Sequence, residues 1–175
     1  MRLALKFGYD GTVFQGYQRQ KGLMTVEGEL INALKSLGII DDEKGANFRS
    51  ASRTDKGVSA IGNVLSFDND FKRENILPAL NAQLDDVWLW GIASVPEDFN
   101  PRHAEMRWYR YHLPSELDEK TIEHGAKLFV GEHDLRSYTK RAEEDTVRTI
   151  DSITVKKEDD FLMLDFKARG FLWNM

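Results

Sequence analysis

The chain has 175 residues, 41% hydrophobic and 11% aromatic, which suffices for one sizeable core or two small ones without staples. It contains no cysteine, which excludes disulfides, thiol nucleophiles and Cys-ligated zinc together. A formal net charge of -5 excludes a protein that coats nucleic acid through bulk positive charge, but not one with a local basic groove.

Residues 2–9 alternate, with Leu3, Leu5 and Phe7 on one side and Arg2, Ala4 and Lys6 on the other, as a half-buried strand requires. The same charged residues interrupt any signal-like pattern, and no apolar run is long enough to span a bilayer. The expected address is cytoplasmic, with no membrane partner. Residues 10–22 form a Gly-rich loop, and Thr25 then caps a helix whose Val26, Leu30, Ala33, Leu34 and Leu37 follow a 3.6-residue period until Gly38. Residues 48–53 and 62–67 read as strands around a turn at Asp55, 72–84 as a short helix complicated by Pro78, and 86–95 as another strand. The order β, α, β, β, α, β is the split βαβ, or ferredoxin-like, plan.

The pattern then restarts. Residues 106–113 read as a strand, 118–130 as a helix with Ile122, Ala126 and Phe129 on one side, and 147–157 with 161–168 as a hairpin across a polar turn. The expected fold is therefore α+β: two ferredoxin-like βαββαβ-type units with mainly antiparallel sheets, residues 1–100 and 101–175. The second lacks its last helix and strand. The boundary falls where Asn100 and Pro101 break regular structure. A sequence ending in the apolar run 171–175 reads as a piece of a longer protein, because termini usually lie at polar surface.

Several chemistries fail on their own key residues. The segment 8–12 resembles an aspartyl-phosphate signature, but Gly8 stands where the nucleophile belongs, and the Gly-rich loop has neither P-loop nor dinucleotide spacing. His103, His112, His124 and His133 show no ligand spacing, so no metal is expected. Glycosidase chemistry needs a second acid, and the spacing selects neither Asp10 nor Asp68 as a partner for Asp55. What remains is Asp55 between Arg53 and Lys56 in a turn closed by Gly57, and an aromatic strand at 107–111. Alternation puts Arg107, Tyr109 and Tyr111 on one face of that strand: either a stacking surface for a base or the strand's core side.

The blocks YDGTVFQGYQRQ, TVEGEL, RTDKGVSAIGNVLSF, DFNPRHA, RWYRYHL and ARGFLWNM, in this order and spacing, resemble the TruA family of tRNA pseudouridine synthases. Lys56 and Ser59 give the signature an archaeal or eukaryotic look. The resemblance implies that Asp55 is the catalytic aspartate, Arg53 its companion in base flipping, and Tyr109 the tyrosine lying against the target base. Arg19, Lys21, Lys56, Arg102 and Arg107 are then expected to meet RNA. Two blocks depart from the family pattern, with His103 for a phenylalanine and Tyr17 for a tryptophan. The family's next block carries a basic active-site arginine beyond the position of Met175. The implied reaction isomerises uridine to pseudouridine in tRNA, with the anticodon stem-loop as target and no cofactor, in a homodimer of the full-length protein. The alternative is a catalytically silent RNA-binding module on the same scaffold.

Overall fold

The computed structural model describes residues 1–70, 75–140, 145–173 and 175, and separates into two compact units, Met1–His103 and Ala104–Met175. In the first unit, β1 (Arg2–Tyr9) runs down the middle of a four-stranded sheet with β2 (Arg49–Ser50), β3 (Ala60–Asp68) and β4 (Val87–Ser94). The strand order is β2-β3-β1-β4 and every pairing is antiparallel, the arrangement expected of a ferredoxin-like unit. Alternation does the sorting. Leu3, Leu5 and Phe7 of β1, Leu65 and Phe67 of β3, and Val87 and Leu89 of β4 are buried under α1 (Val26–Ser36) and α2 (Ile76–Asn81).

Helix α1 starts where its chemistry dictates. The Thr25 hydroxyl accepts from the Gly28 N–H at 3.3 Å, Glu27 and Glu29 lie at the positive end of the helix dipole, and Lys35 lies at the negative end. Val26, Leu30, Ala33 and Leu34 turn to the sheet, and Gly38, at φ +65°, ends the run in the left-handed region. Arg2, expected on the outer side of β1, is buried instead. Its guanidinium is satisfied by Asp68 at 2.9 Å, the Ser66 hydroxyl at 2.7 Å and the Phe99 carbonyl at 2.8 Å, which ties the strand's start to the segment ahead of Pro101.

Two expected elements differ from the pattern. The strand over 48–53 contracts to Arg49–Ser50, because beyond it the Asn63 side chain takes over the pairing: Asn63 Nδ2–H donates to the Ser52 carbonyl at 2.9 Å, and Asn63 Oδ1 accepts from the Ser52 N–H at 3.2 Å. The helix expected over 72–84 covers Ile76–Asn81, and positions 72–74 lie outside the described residues. Pro78 falls in its first turn, where a missing N–H costs nothing.

The second unit has β5 (Arg107–Pro114), α3 (Glu119–Lys127), β6 (Gly131–Asp134), β7 (Val147–Glu158) and β8 (Phe161–Ala168). They form a sheet of order β5-β8-β7-β6, again antiparallel throughout. The hairpin turns at Asp159 and Asp160, with Asp159 at φ +51°. Strand β6 was not expected: its residues Gly131, Glu132, His133 and Asp134 lack strand propensity, and pairing with β7 makes it a strand. The core is Leu135, Ile150, Ala168 and Leu172, with Phe129, Ile153 and Phe171 packed against it. Among the described residues no helix is long and apolar enough to cross a membrane.

Candidate active site

The loop from residue 51 to 59 joins β2 to β3 and is fastened at several points between its exposed side chains. Beyond the Asn63 clamp on Ser52, Thr54 is held twice: its carbonyl accepts from the Tyr17 N–H at 3.0 Å, and its hydroxyl lies 2.8 Å from the Tyr9 phenol oxygen. At the far end the Ser59 hydroxyl accepts from the Gly11 N–H at 2.9 Å. Between these anchors the Val58 N–H donates to the Asp55 carbonyl at 3.2 Å, closing a four-residue turn. Gly57 sits at φ +82° while Lys56 is not among the residues of positive φ, the signature of a type II turn with glycine in its third position. Arg53, Asp55 and Lys56 are all exposed, whereas the residues that fasten the loop, Tyr9, Gly11, Tyr17 and Asn63, are buried.

The Gly-rich loop after β1 is the other wall. Gly11 serves close approach, and Gly16 a backbone conformation of positive φ. A Cβ on Gly11 would stand 2.1 Å from the Val58 carbonyl oxygen, and one on Gly16, at φ +108°, would stand 3.5 Å from the Lys56 nitrogen. Tyr17 anchors this loop with a fully buried ring whose phenol burial pushes well above its ordinary value, the Ser50 side chain acting the other way. The Arg53 guanidinium donates to Gln18 Oε1 at 3.3 Å, linking the two loops through side chains as well. Asp10, once a candidate acid, is a cap: its Oδ1 accepts from the Thr12 N–H at 3.0 Å and hydroxyl at 2.7 Å, which hold its carboxyl below the usual range.

Of the expected RNA contacts in this unit, Lys21 stands at the second position of a turn closed by Leu23 N–H to Gln20 carbonyl at 3.3 Å, with Gly22 at φ +76°. The turn at Lys56 has the same build, so two neighbouring loops each present an exposed lysine ahead of a glycine. Arg19 is committed to Glu43 through an ion pair, and its N–H donates to Glu27 at 3.0 Å. Glu43 is held below its ordinary value by its own N–H and then by Arg19. Arg102 is exposed in the 3-10 turn Pro101–His103 beside β2 and β3, where its N–H donates to Asn100 Oδ1 at 3.1 Å.

In the second unit Tyr109 lies on the side of β5 that faces the core, half-buried, with its ring edge-on to Phe171 at 5.2 Å between centroids. Arg107, on the same side, donates to the Arg169 carbonyl. The structure thus brings Asp55, Arg53, Lys56, Gln18 and Lys21 onto two packed loops of one unit, and Tyr109 and Arg107 onto one strand face of the other. Tyr9, Gly11, Tyr17 and Asn63, which build the loop's support, escaped the sequence reading, since their contacts join residues 11 to 48 positions apart.

A family model described as tRNA pseudouridine synthase matches residues 126–175. Curated proteins similar to the whole chain include "tRNA pseudouridine synthase A" of Thermococcus onnurineus, 46% identical with 67% of that protein covered, and of Pyrococcus furiosus, 44% identical with 65% covered. The protein of that name from Methanococcoides burtonii is 43% identical, again with 65% covered. The chain spans about two thirds of the length of these relatives.

Proposed function

The chain belongs to the tRNA pseudouridine synthase family, and from that premise we propose that it is the part of such an enzyme that attacks uridine in tRNA, with Asp55 as the nucleophile. The supporting observation is the build of the 51–59 loop. A carboxylate at the tip of a turn anchored at Ser52, Thr54 and Ser59 loses little freedom on meeting its target, which is the geometric condition for nucleophilic catalysis.

The reaction balances within the substrate. The N1–C1′ bond of uridine breaks, the detached uracil turns, a C5–C1′ bond forms, C5 gives up its proton and N1 takes one up. Asp55 initiates this by adding to C6 of the base or by displacing uracil from C1′ of the ribose, and the bond it forms breaks again before the C5–C1′ product leaves. A uridine in a stem must first be flipped out at a cost of a few kcal/mol, and Arg53, whose exposed guanidinium donates to Gln18, is placed to swing into the vacated space. Tyr109 offers the flipped base a ring braced by Phe171, and Lys21, Lys56, Arg102 and Arg107 supply phosphate contacts, with Arg19 contributing once released from Glu43. The anticodon stem-loop is the proposed target, and the full-length protein works as a homodimer.

In a full-length protein Asp55→Asn is expected to abolish tritium release from C5-labelled tRNA while leaving tRNA binding in place. Substantial turnover by that variant would remove Asp55 from the mechanism.

A further inference from the structure

The solvent side of each sheet carries a feature that the proposed reaction does not use. Trp88 and Trp90 stand two residues apart on β4 and so project to one face, opposite buried Val87 and Leu89, with 45% and 53% of their surface exposed. Neither ring is loose. The Trp90 Nε1–H donates to the Ile61 carbonyl of β3 at 3.0 Å, which lays the indole across β1, the strand between them. Lys6 of β1 places its Nζ 4.6 Å from the Trp90 ring centroid. Glycines keep the floor bare. A Cβ on Gly62 would meet Lys6 Cε at 3.2 Å and Trp90 at 3.7 Å, and one on Gly8 would meet Trp88 Nε1 at 2.6 Å.

The second unit repeats the pattern from unrelated residues. Trp108, 55% exposed, lies on the outward side of β5, with Lys167 Nζ of β8 4.5 Å from its ring and the Arg110 guanidinium carbon 5.6 Å away. Arg110 is fixed there by two bonds to Asp165, at 2.7 and 2.8 Å, which hold the Asp165 carboxyl below its usual range.

We infer that these two indole-lysine faces are stacking platforms for unpaired nucleotides of the RNA substrate, away from the uridine that reacts. The inference rests on the RNA-modifying reading above and extends it to recognition. A pinned, flat, half-exposed ring gives a base its stacking partner with little ordering cost, and an ammonium beside the ring can pair with the phosphate that follows. The charge argues for RNA over a second copy of the chain, since each platform offers an ammonium, and a copy would set lysine against lysine.

The test uses the full-length protein with an unmodified tRNA transcript and a short oligouridine as probes. Trp90→Ala and Trp108→Ala are each expected to weaken binding about fivefold or more, while Trp90→Tyr retains most of it. RNA quenches the tryptophan fluorescence of the parent, and less so that of the alanine variants. Parental affinity in both alanine variants overturns the proposal, as does a shift from dimer to monomer at unchanged affinity, which would make the face a contact between copies. Asp55→Asn separates the two readings. If it keeps turnover while Trp90→Ala loses binding, the chemical assignment falls and the platform stands.

Discussion

The two units solve the same packing problem with different thoroughness. In Met1–His103 two helices close over one face of the sheet, and Leu3, Leu5, Leu30, Leu34, Leu65 and Leu80 lose all contact with solvent. In Ala104–Met175 helix α3 buries none of its residues completely, Leu128 and Val130 stay exposed, and the sheet is held mainly by the long β7–β8 hairpin. The difference teaches where rigidity is available. On the proposed reading, a loop that must hold a reacting carboxylate in one position belongs on the densely packed unit, whereas a strand that offers a ring to a base tolerates looser support.

The largest expected effect breaks that rigidity. Gly11→Val puts a branched side chain where a single Cβ already lies 2.1 Å from the Val58 carbonyl, so the 51–59 loop must shift by an ångström or more. Turnover should fall about 10²-fold, the usual consequence of displacing a reacting group by that distance. Gly57→Ala is the control: nothing stands within 4 Å of its Cβ, and only the φ of +82° opposes it, at about 1–2 kcal/mol. If both variants lose turnover equally, the close approach of Gly11 is not what positions Asp55.

Next comes a direct comparison of the cores. Leu65→Ala in the first unit should cost about 2–5 kcal/mol, because the surrounding side chains cannot collapse into the space. Leu135→Ala, in the thinner core of the second unit, should fall at or below the low end of that range. Denaturant unfolding measures both. Amide exchange should likewise show β1 and β3 protected far longer than β6, and equal protection would mean that the thin core is no weaker than the dense one.

This contrast also explains what the sequence revealed. Strands β1 and β8 coincide with the alternation that predicts them, and Thr25 announces its helix, because period and cap are local properties. The turn at Asp55, Lys56 and Gly57 was legible for the same reason. Strand β6 was not, since Gly131, Glu132, His133 and Asp134 become a strand only by pairing with β7. Nor were the loop's anchors: Tyr9 reaches Thr54 and Gly11 reaches Ser59 across more than forty residues, and no spacing rule connects them. Arg2 looked like a surface charge until Asp68, Ser66 and Phe99 surrounded it.

A milder test trims one anchor. Tyr9→Phe keeps the ring, which packs edge-on against Phe14, and removes the hydroxyl that bonds to Thr54, a loss of about 0.5–1.5 kcal/mol for that bond. Because that bond holds the residue next to Asp55, turnover should fall several-fold while the affinity for tRNA is kept, and a drop in affinity without a drop in turnover would assign Tyr9 to binding instead.

The smallest effect compares a carboxylate held below its usual range in each unit: Asp10 by the Thr12 N–H and hydroxyl, Asp165 chiefly by Arg110. A carboxyl whose pKa is lower folded than unfolded contributes stability that is fully present above the unfolded value, near 3.8, and lost as pH falls through the folded one. Asp10→Asn and Asp165→Asn should therefore lower Tm slightly at neutral pH, and the gap to the parent should close as the pH drops below about 4. Asp10 is held by uncharged donors and Asp165 by a guanidinium, so the gap at Asp10 should be the narrower. The two units also give the losses different consequences. Freeing Arg110 loosens the Trp108 face and should weaken RNA binding, whereas uncapping the turn after β1 touches the loop beside Asp55 and should appear in turnover. A Tm gap that stays constant down to pH 2 would show that both carboxylates act through packing and not through their charge.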